Sequence, residues 1–492
     1  MKLFDFFRKF RPAPTQKTVH AVKVRNYDAG KESDLLFNWS GGKSSADVLI
    51  MINLSKVRAR SRDLVRNNDY VKKFKRMVGS NIIGPNGIMF QSKVVKSDGT
   101  QDKEANDTIE NAFWEWSKKG NCDVSGKYSF RSLCTAVVSN TAIDGEVIIR
   151  KIRANDNYFG FKLQLIEADH LNENLNDYKR NIKMGIEYDI YGKPVAYHLT
   201  KYHPSETLYA LQNEYIRIPA NEILHIFLPD RISQARGMPW VHAAVTKLKM
   251  MGAYEEAELV SARVSASKGV FYTSPAGEDY IGDDTAPNGD AIDEITPGMA
   301  QKLPDGWDVK VVDPSHPNTA FAEFEKAVLR SIASGLDVSY AYLSNDLESY
   351  NFSSIRAGVL DEREAWMNLQ SWFIEEFVNE VYKEWLQMAL LTQAVPLPLS
   401  KFDELHKPFF MPRRWAWVDP QKDITANILA MKAGIKAPSM VASEMGYDLE
   451  DVYEAIKRDQ DLREQMGITI ANDVEIFQML ASIQGNNKGD NK

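Results

Sequence analysis

Apolar residues between positions 45 and 76 recur at Val48, Ile52, Leu54 and Val57 among polar neighbours, the spacing of a helix with one buried face. The turn-rich run Gly79-Ser80-Asn81-Ile82-Ile83-Gly84-Pro85-Asn86-Gly87 ends it, and residues 88–95 alternate as a strand does. Helical spacing returns over 102–119, where Ile109, Phe113 and Trp116 form a stripe, and over 130–141. The period then changes. Residues 145–153, 161–167, 186–188, 195–200 and 223–227 are short β-type runs set off by Gly, Asn, Asp or Pro, which predicts a meandering antiparallel sheet. Strands do not alternate with long helices, so a doubly wound nucleotide-binding sheet is not expected.

A second change comes after Gly237-Met238-Pro239. Residues 240–267 carry no proline and no interior turn cluster, and as one helix they would run roughly 40 Å. Residues 269–315 then break into short strands and loops rich in Gly and Pro. Here Glu278, Asp279, Asp283, Asp284, Asp290, Asp293, Glu294, Asp305, Asp308 and Asp313 face only Lys302 and Lys310, so a compact acidic insert separates two helices. The second helix is predicted over 319–336 and a longer third over 353–391, with the polar loop Ser344-Asn345-Asp346-Leu347-Glu348-Ser349-Tyr350-Asn351 between them. Trp366, Phe373, Phe377, Tyr382 and Trp385 fall near one stripe of the third helix, a pattern of core or subunit packing rather than a ligand box. A proline-punctuated connector leads to a last helical region over 421–481 and a polar tail expected to be disordered.

A chain of 492 residues exceeds the size of one hydrophobic core, so two to four structural regions are expected. Two cysteines, Cys122 and Cys134, mean that disulfides do not hold it together and that a reducing compartment suits it. Charges interrupt the opening Met1-Lys2-Leu3-Phe4-Asp5-Phe6-Phe7-Arg8-Lys9-Phe10-Arg11 too often for a signal peptide. A mobile terminus with a short docking segment is the favoured reading of it, a surface-seeking amphipathic helix the alternative. No run approaches the length of a membrane span, and no membrane is expected. The net charge of −7 argues against a protein whose main work is gripping DNA backbones. Against that background Arg58, Arg60, Arg62, Arg66, Lys72, Lys73, Lys75 and Arg76 form the most basic stretch. It is either a contact for an acidic neighbour or phosphate, or a solvated helix face.

Catalytic motifs fail one by one. Ser40-Gly41-Gly42-Lys43-Ser44-Ser45 has Phe37 where a P-loop needs its first glycine, and the preceding segment is a poor strand for an ATP-pyrophosphatase loop. The eight histidines are scattered, with no helical pair around a glutamate, so no metal is expected. Asp169-His170 beside Glu167 reads as a strand end with local hydrogen bonds, because no nucleophile elbow accompanies it. Asp361-Glu362-Arg363-Glu364 reads as a solvated helix face. With no cofactor site and no catalytic constellation, a structural role is expected rather than an enzyme.

In order and spacing the segments resemble the lambda-type family of tailed-phage portal proteins over about residues 40–425. The resembling residues include Arg58-Ala59-Arg60-Ser61-Arg62-Asp63-Leu64-Val65-Arg66, Asp144-Gly145-Glu146, Ile166-Glu167-Ala168-Asp169-His170-Leu171, Gly192-Lys193-Pro194-Val195-Ala196-Tyr197, Arg236-Gly237-Met238-Pro239-Trp240 and Asn351-Phe352-Ser353-Ser354-Ile355-Arg356. No single segment is specific; the series is. The resemblance implies an α+β portal fold with wing, two-helix stem, small α/β clip and helical crown. It implies a homo-oligomeric ring of twelve subunits at the capsid vertex of the virion, assembled in the host cytoplasm, conducting double-stranded DNA during packaging and ejection. Its partners would be the terminase large subunit, then the head–tail adaptor, with the major capsid and scaffold proteins.

Carried onto this chain, 1–44 would be a flexible N-terminal arm, 45–237 the wing, 238–268 and 316–337 the stem helices, and 269–315 the clip. Residues 338–419 would hold the tunnel loop and the long wing helix, and 420–492 the crown and tail. The tunnel loop would set Asn345, Asp346, Glu348, Ser349, Tyr350 and Asn351 in the DNA channel for weak, sequence-independent contacts. Glu278, Asp279, Asp283, Asp284, Asp290, Asp293 and Glu294 would turn the clip toward terminase and adaptor, whose docking surfaces should then be basic. A ring of such negative chains repels phosphates, which suits a conduit along which DNA slides. Another structural ring of the phage head, or a DNA-packaging enzyme, would be the alternative.

Overall fold

The structure, a computed structural model, describes residues 43–153, 157–206, 214–266, 269–273, 284–285, 291–292, 308–312, 321–347, 352–415, 420–445 and 447–467. The chain divides into Met1–Ser45 and Ala46–Lys492, and every helix and strand named here belongs to the second unit. Its elements run α1 (Ala46–Asn67), α2 (Asp69–Ile82), β1 (Met89–Ser92), α3 (Lys103–Trp116), α4 (Phe130–Asp144), β2 (Glu146–Arg153), β3 (Phe161–Ile166), β4 (Ile182–Lys183), β5 (Ile186–Tyr188), β6 (Pro194–Thr200), β7 (Tyr215–Pro219), β8 (Ile223–Phe227) and α5 (Val245–Ala266). Then come β9 (Gly269–Thr273), β10 (Asp284–Thr285), β11 (Ala291–Ile292), β12 (Asp308–Val312), α6 (Phe321–Gly335), α7 (Tyr340–Ser344), α8 (Phe352–Phe373), α9 (Asn379–Leu391), α10 (Phe402–Leu405), β13 (Pro408–Met411), α11 (Pro420–Lys432), α12 (Pro438–Glu444) and α13 (Leu449–Met466).

The predicted single helix over 45–76 is two helices. Asn68 adopts an extended conformation and accepts from the Val71 amide, capping α2, so the chain turns where the pattern alone suggested continuity. The turn-rich run does not stop α2 at Gly79 either, because the helix continues to Ile82 and buries Val78, Gly79 and Ile82. Ser129 and Ser132 close a reciprocal cap on α4.

The β region is antiparallel, as its pattern requires, but it forms two sheets rather than one meander. One has the order β3-β2-β8 and the other β4-β5-β6-β7. The short β4 and the largely exposed β7 are not among the strands read from the sequence. β1 pairs with β13, joining segments more than three hundred residues apart, Met89 opposite Met411. The predicted helix over 240–267 opens with a 3-10 turn at Trp240–Ala243 and becomes α-helical at Val245. The insert leaves and returns on the antiparallel pair β9–β12 and contains the smaller pair β10–β11.

The long third helix is interrupted by one π turn, Ile374–Val378, between α8 and α9. Phe373 before it and Phe377 within it are both buried. Trp366, Phe373, Phe377, Tyr382 and Trp385 are all buried, as the stripe predicts. Phe373, Phe377, Tyr382 and Trp385 join Phe113, Trp116, Phe130 and Phe161 in one aromatic cluster, with Trp385 and Phe113 edge to face at 4.9 Å. The last helical region is three short helices. Gly434, at φ 71, allows the turn after α11, and α12 and α13 bury no residue.

One close approach fixes the centre of this unit. Gly145 ends α4 with φ 91, its amide bonded 2.9 Å to the Thr141 carbonyl oxygen. A Cβ at Gly145 would lie 2.6 Å from the Met238 carbonyl carbon, and one at Gly237 would lie 2.0 Å from the Gly145 oxygen. Two backbones touch where only glycine fits. Gly145→Ala should therefore cost about 2–5 kcal/mol, combining left-handed strain with backbone overlap. A urea midpoint unchanged from the parent would contradict this.

Candidate functional site

The glycine contact brings two charged segments together at the start of β2. Glu146, fully buried, receives Arg58 Nη2 at 2.7 Å from α1, Arg236 Nε at 2.9 Å, and the Gly237 amide at 3.1 Å. His225 Nε2 on β8 lies 2.9 Å from the second carboxylate oxygen. Arg236 also donates to the Met184 carbonyl at 2.9 Å, and Arg58 Nε to the Asp144 carbonyl at 2.9 Å. One turn along α1, Arg62 forms a two-pronged pair with Asp144, at 2.7 and 3.0 Å, and bonds Asp169. Three guanidiniums thus meet three carboxylates. Burial by itself would push the Glu146 carboxyl up, but Arg236 and His225 outweigh it and hold it well below the usual carboxylate range.

The basic stretch therefore splits. Arg58 and Arg62 turn inward to this network, whereas Arg60, Arg66, Lys72 and Arg76 are exposed. Neither reading of the stretch as a unit holds, because the helical period sends its charges to opposite faces. Asp169 accepts from Arg62, and His170 Nδ1 sits 2.8 Å from the Thr200 carbonyl oxygen, the local bonding expected of that strand end. Glu167, Asp169 and His203 do bring ligand-type atoms within 4.8 Å of one another. Asp169 is the Arg62 partner, so the trio is a rim of the same network. Glu362 departs from the solvated face expected of it: it is half-buried, accepts from Trp366 Nε1 at 3.1 Å, and burial pushes its carboxyl up.

α5 and α6 lie side by side and frame a groove of about 610 Å³. Tyr254 meets the rings of Phe321 at 5.5 Å and Phe324 at 5.3 Å, while Met250 and Val328 line the floor with Glu255 and Glu325 at its edge. Beyond α6 and α7 the loop begins at Asn345, in the left-handed conformation at φ 62, whose Oδ1 accepts from Lys73 of α2. Asp346 is half-buried, receives the Tyr340 hydroxyl at 2.8 Å and faces Lys326 at 3.8 Å. Of the residues expected in the channel, Asn345 is exposed and Asp346 is tied to its own chain. Glu348, Ser349, Tyr350 and Asn351 lie outside the described residues. Of the acidic insert, Asp284 opens β10; Glu278, Asp279, Asp283, Asp290, Asp293 and Glu294 lie outside them, as does the Ser40-Gly41-Gly42 turn.

Residues 33–370 match the family described as phage portal protein, lambda family. The chain is 36% identical to the "Probable portal protein" of Halomonas phage phiHAP-1, over 93% of this chain and 90% of that one. It is 21% identical to "Portal protein B" of Escherichia phage lambda, over 88% and 87% of the two. Among solved structures, a chain of the "Neck of empty GTA particle computed with C6 symmetry" aligns at TM-score 0.48 and 14% identity, covering 79% of this chain and 93% of that one. No helix among the described residues is long and apolar enough to cross a membrane.

Glu146→Gln leaves two guanidiniums buried with their charge uncompensated and should cost about 3–5 kcal/mol. Because its folded pKa is depressed, the Glu146 carboxylate contributes stability that is present above the ordinary glutamate value of 4.5 and lost as pH falls through the folded value. Urea midpoints at pH 7 and pH 4 check both points: the variant should be weaker at pH 7 and should lose less than the parent on acidification.

Proposed function

The chain belongs to the lambda family of phage portal proteins, and from that premise we propose that twelve copies close into a ring at the capsid vertex through which double-stranded DNA enters and leaves. The supporting observation is the family match over most of the chain, together with a 36% identical relative along nearly all of it. The role is that of a structural conduit and not of a catalyst.

The elements suit that role. On this reading α5 and α6 are the stem within 238–268 and 316–337, and the insert 269–315, reached through the β9–β12 ladder, is the clip. An antiparallel ladder continuing two helices lets a small acidic module protrude without opening the pair that carries it. Residues 45–237 with the helix over 353–391 form the wing, and 420–492 the crown and tail. The clip would meet the terminase large subunit and then the head–tail adaptor, while the wing and crown would face the major capsid and scaffold proteins. The loop 344–352, with exposed Asn345 near its start, would stand nearest the DNA. Its contacts would be weak, since Asp346 is already held by Tyr340 and Lys326.

Electron microscopy of the purified protein should show a closed ring with an axial channel and a narrow protrusion at one end. A monomer that hydrolyses ATP would overturn the reading. Removing residues 345–351 should leave rings intact but lose retention of packaged DNA. Particles that keep full-length genomes without the loop would displace it from the channel.

A further inference from the structure

Two guanidiniums rest on one indole, and a lysine shares their cavity, where α2, α8 and the segment after β13 meet. Arg363 Cζ lies 5.7 Å from the Trp415 ring centroid and Arg413 Cζ 5.5 Å, so both guanidiniums rest on the same ring. Lys73 shares with them a cavity of about 280 Å³, which Tyr342 and Asn345 also line. Their hydrogen bonds go to neutral groups. Lys73 donates to Asn345 Oδ1; Arg413 donates to the Ser80 carbonyl and, at 3.0 Å, to Asn81 Oδ1. None of the three meets a carboxylate within ion-pair distance among the described residues.

Two acids stand nearby. Glu362 lines the cavity and accepts from Trp366 Nε1, but it makes no ion pair with any of the three, and burial pushes its carboxyl up. Asp423 of α11 acts on Arg363 only from beyond ion-pair distance. The three cations accordingly have their pKa values lowered, by burial first, then for Lys73 by Arg76 and for Arg413 by Arg363. In the Glu146 network this same chain matches every guanidinium with a carboxylate. Here it holds like charges together, half-buried, with none.

We propose that Lys73, Arg363 and Arg413, arranged about Trp415, form a seat for a backbone phosphate of double-stranded DNA at the foot of the loop that begins at Asn345. The inference rests on the portal reading for the presence of DNA beside that loop. A phosphodiester stays ionised and offers the acceptor oxygens that two guanidiniums and an ammonium lack inside the chain. The aromatic face orients the guanidiniums without neutralising them. On a chain that is negative overall, such a seat gives local, sequence-independent and salt-dependent hold on a duplex that the rest of the surface repels.

The test uses the full-length protein and a fluorescent duplex of about 30 base pairs, titrated across salt concentrations by anisotropy. Lys73→Gln with Arg363→Gln removes two of the cations and leaves Arg413, which also holds the end of α2. The slope of log affinity against log salt should flatten by about 1.8, and binding near 0.1 M salt should weaken by roughly tenfold or more. Lys73→Gln alone, whose side chain meets only Asn345, should flatten it by about 0.9 and keeps the test decisive if the double variant folds poorly. Equal slopes for parent and variants overturn the seat. So does a parent that forms rings while the folded variants do not, for then the cluster binds an acidic segment of a second copy. Ring counts and ATP hydrolysis on the same samples separate the two levels: a monomer that hydrolyses ATP sinks the portal reading, while the slopes still decide the seat.

Discussion

The fold depends on one buried negative charge. Glu146, at the start of β2, sits where the end of α4, β8, α1 and the segment before Trp240 meet, and each of those elements supplies it with a donor or is bonded to one that does. A carboxylate in such a place costs several kcal/mol to desolvate and is tolerable only when its oxygens are saturated. Arg236, next to Gly237, reaches it where Gly145 and Gly237 let two backbones touch. The glycines and the charges are thus one device: the first sets the spacing, and the second makes any other spacing expensive. Through Met184, Arg236 extends the same constraint to the turn between β4 and β5, so the small sheet is keyed to the helices.

This use of charge explains what an average over the chain conceals. A net charge of −7 suggests a surface that repels polyanions. Yet the most basic segment contributes its charges in three ways: Arg58 and Arg62 to structure, Arg60, Arg66, Lys72 and Arg76 to solvent, and Lys73 to the unbalanced cluster around Trp415. The difference lies in the partners each side chain meets and not in composition. Cations with carboxylates in hydrogen-bond reach raise specificity of packing, whereas cations bonded only to amides and carbonyls keep an unfilled electrostatic demand.

Periodicity reveals what depends on neighbours in sequence and misses what depends on neighbours in space. The aromatic stripe from Trp366 to Trp385 is legible as core because helical spacing alone puts it on one face. The strands at 186–188 and 223–227 are legible because alternation and flanking turns are local. The break at Asn68 is not, since Asn at a cap and Asn on a helix surface look alike until the chain turns. The π turn at Ile374–Val378 is invisible because the residues on both sides of it keep the apolar spacing of a continuous helix. For the network, Glu146 and Arg236 are each unexceptional on a strand and in a loop, and the one local hint is the glycine beside each. For the loop, exposure of Asn345 follows from polarity, but the internal bonding of Asp346 requires Tyr340 and Lys326 to be placed.

Apolar surface has its own division between centre and edge. Scattered exposed apolar side chains are normal on any folded protein. Here they include Met250, Leu259, Val260 and Phe324 of α5 and α6, and Leu429, Ile435, Met440, Tyr453 and Ile456 on and between the last three helices, of which α12 and α13 bury nothing. α13 is instead attached to the rest of its chain by polar contacts, Gln91 to Asp451 at 2.6 Å and Lys93 to Asp448 at 2.5 Å. Helices at this length gain most of their stability from a buried face, and these lack one within the single chain. α5 and α6 differ from them, since Leu248, Met251, Leu329 and Ile332 bury one side of each in the main core. The centre of the chain is thus locked by a saturated charge network, whereas α13, itself rich in charge, is tied to it by hydrogen bonds and an ion pair.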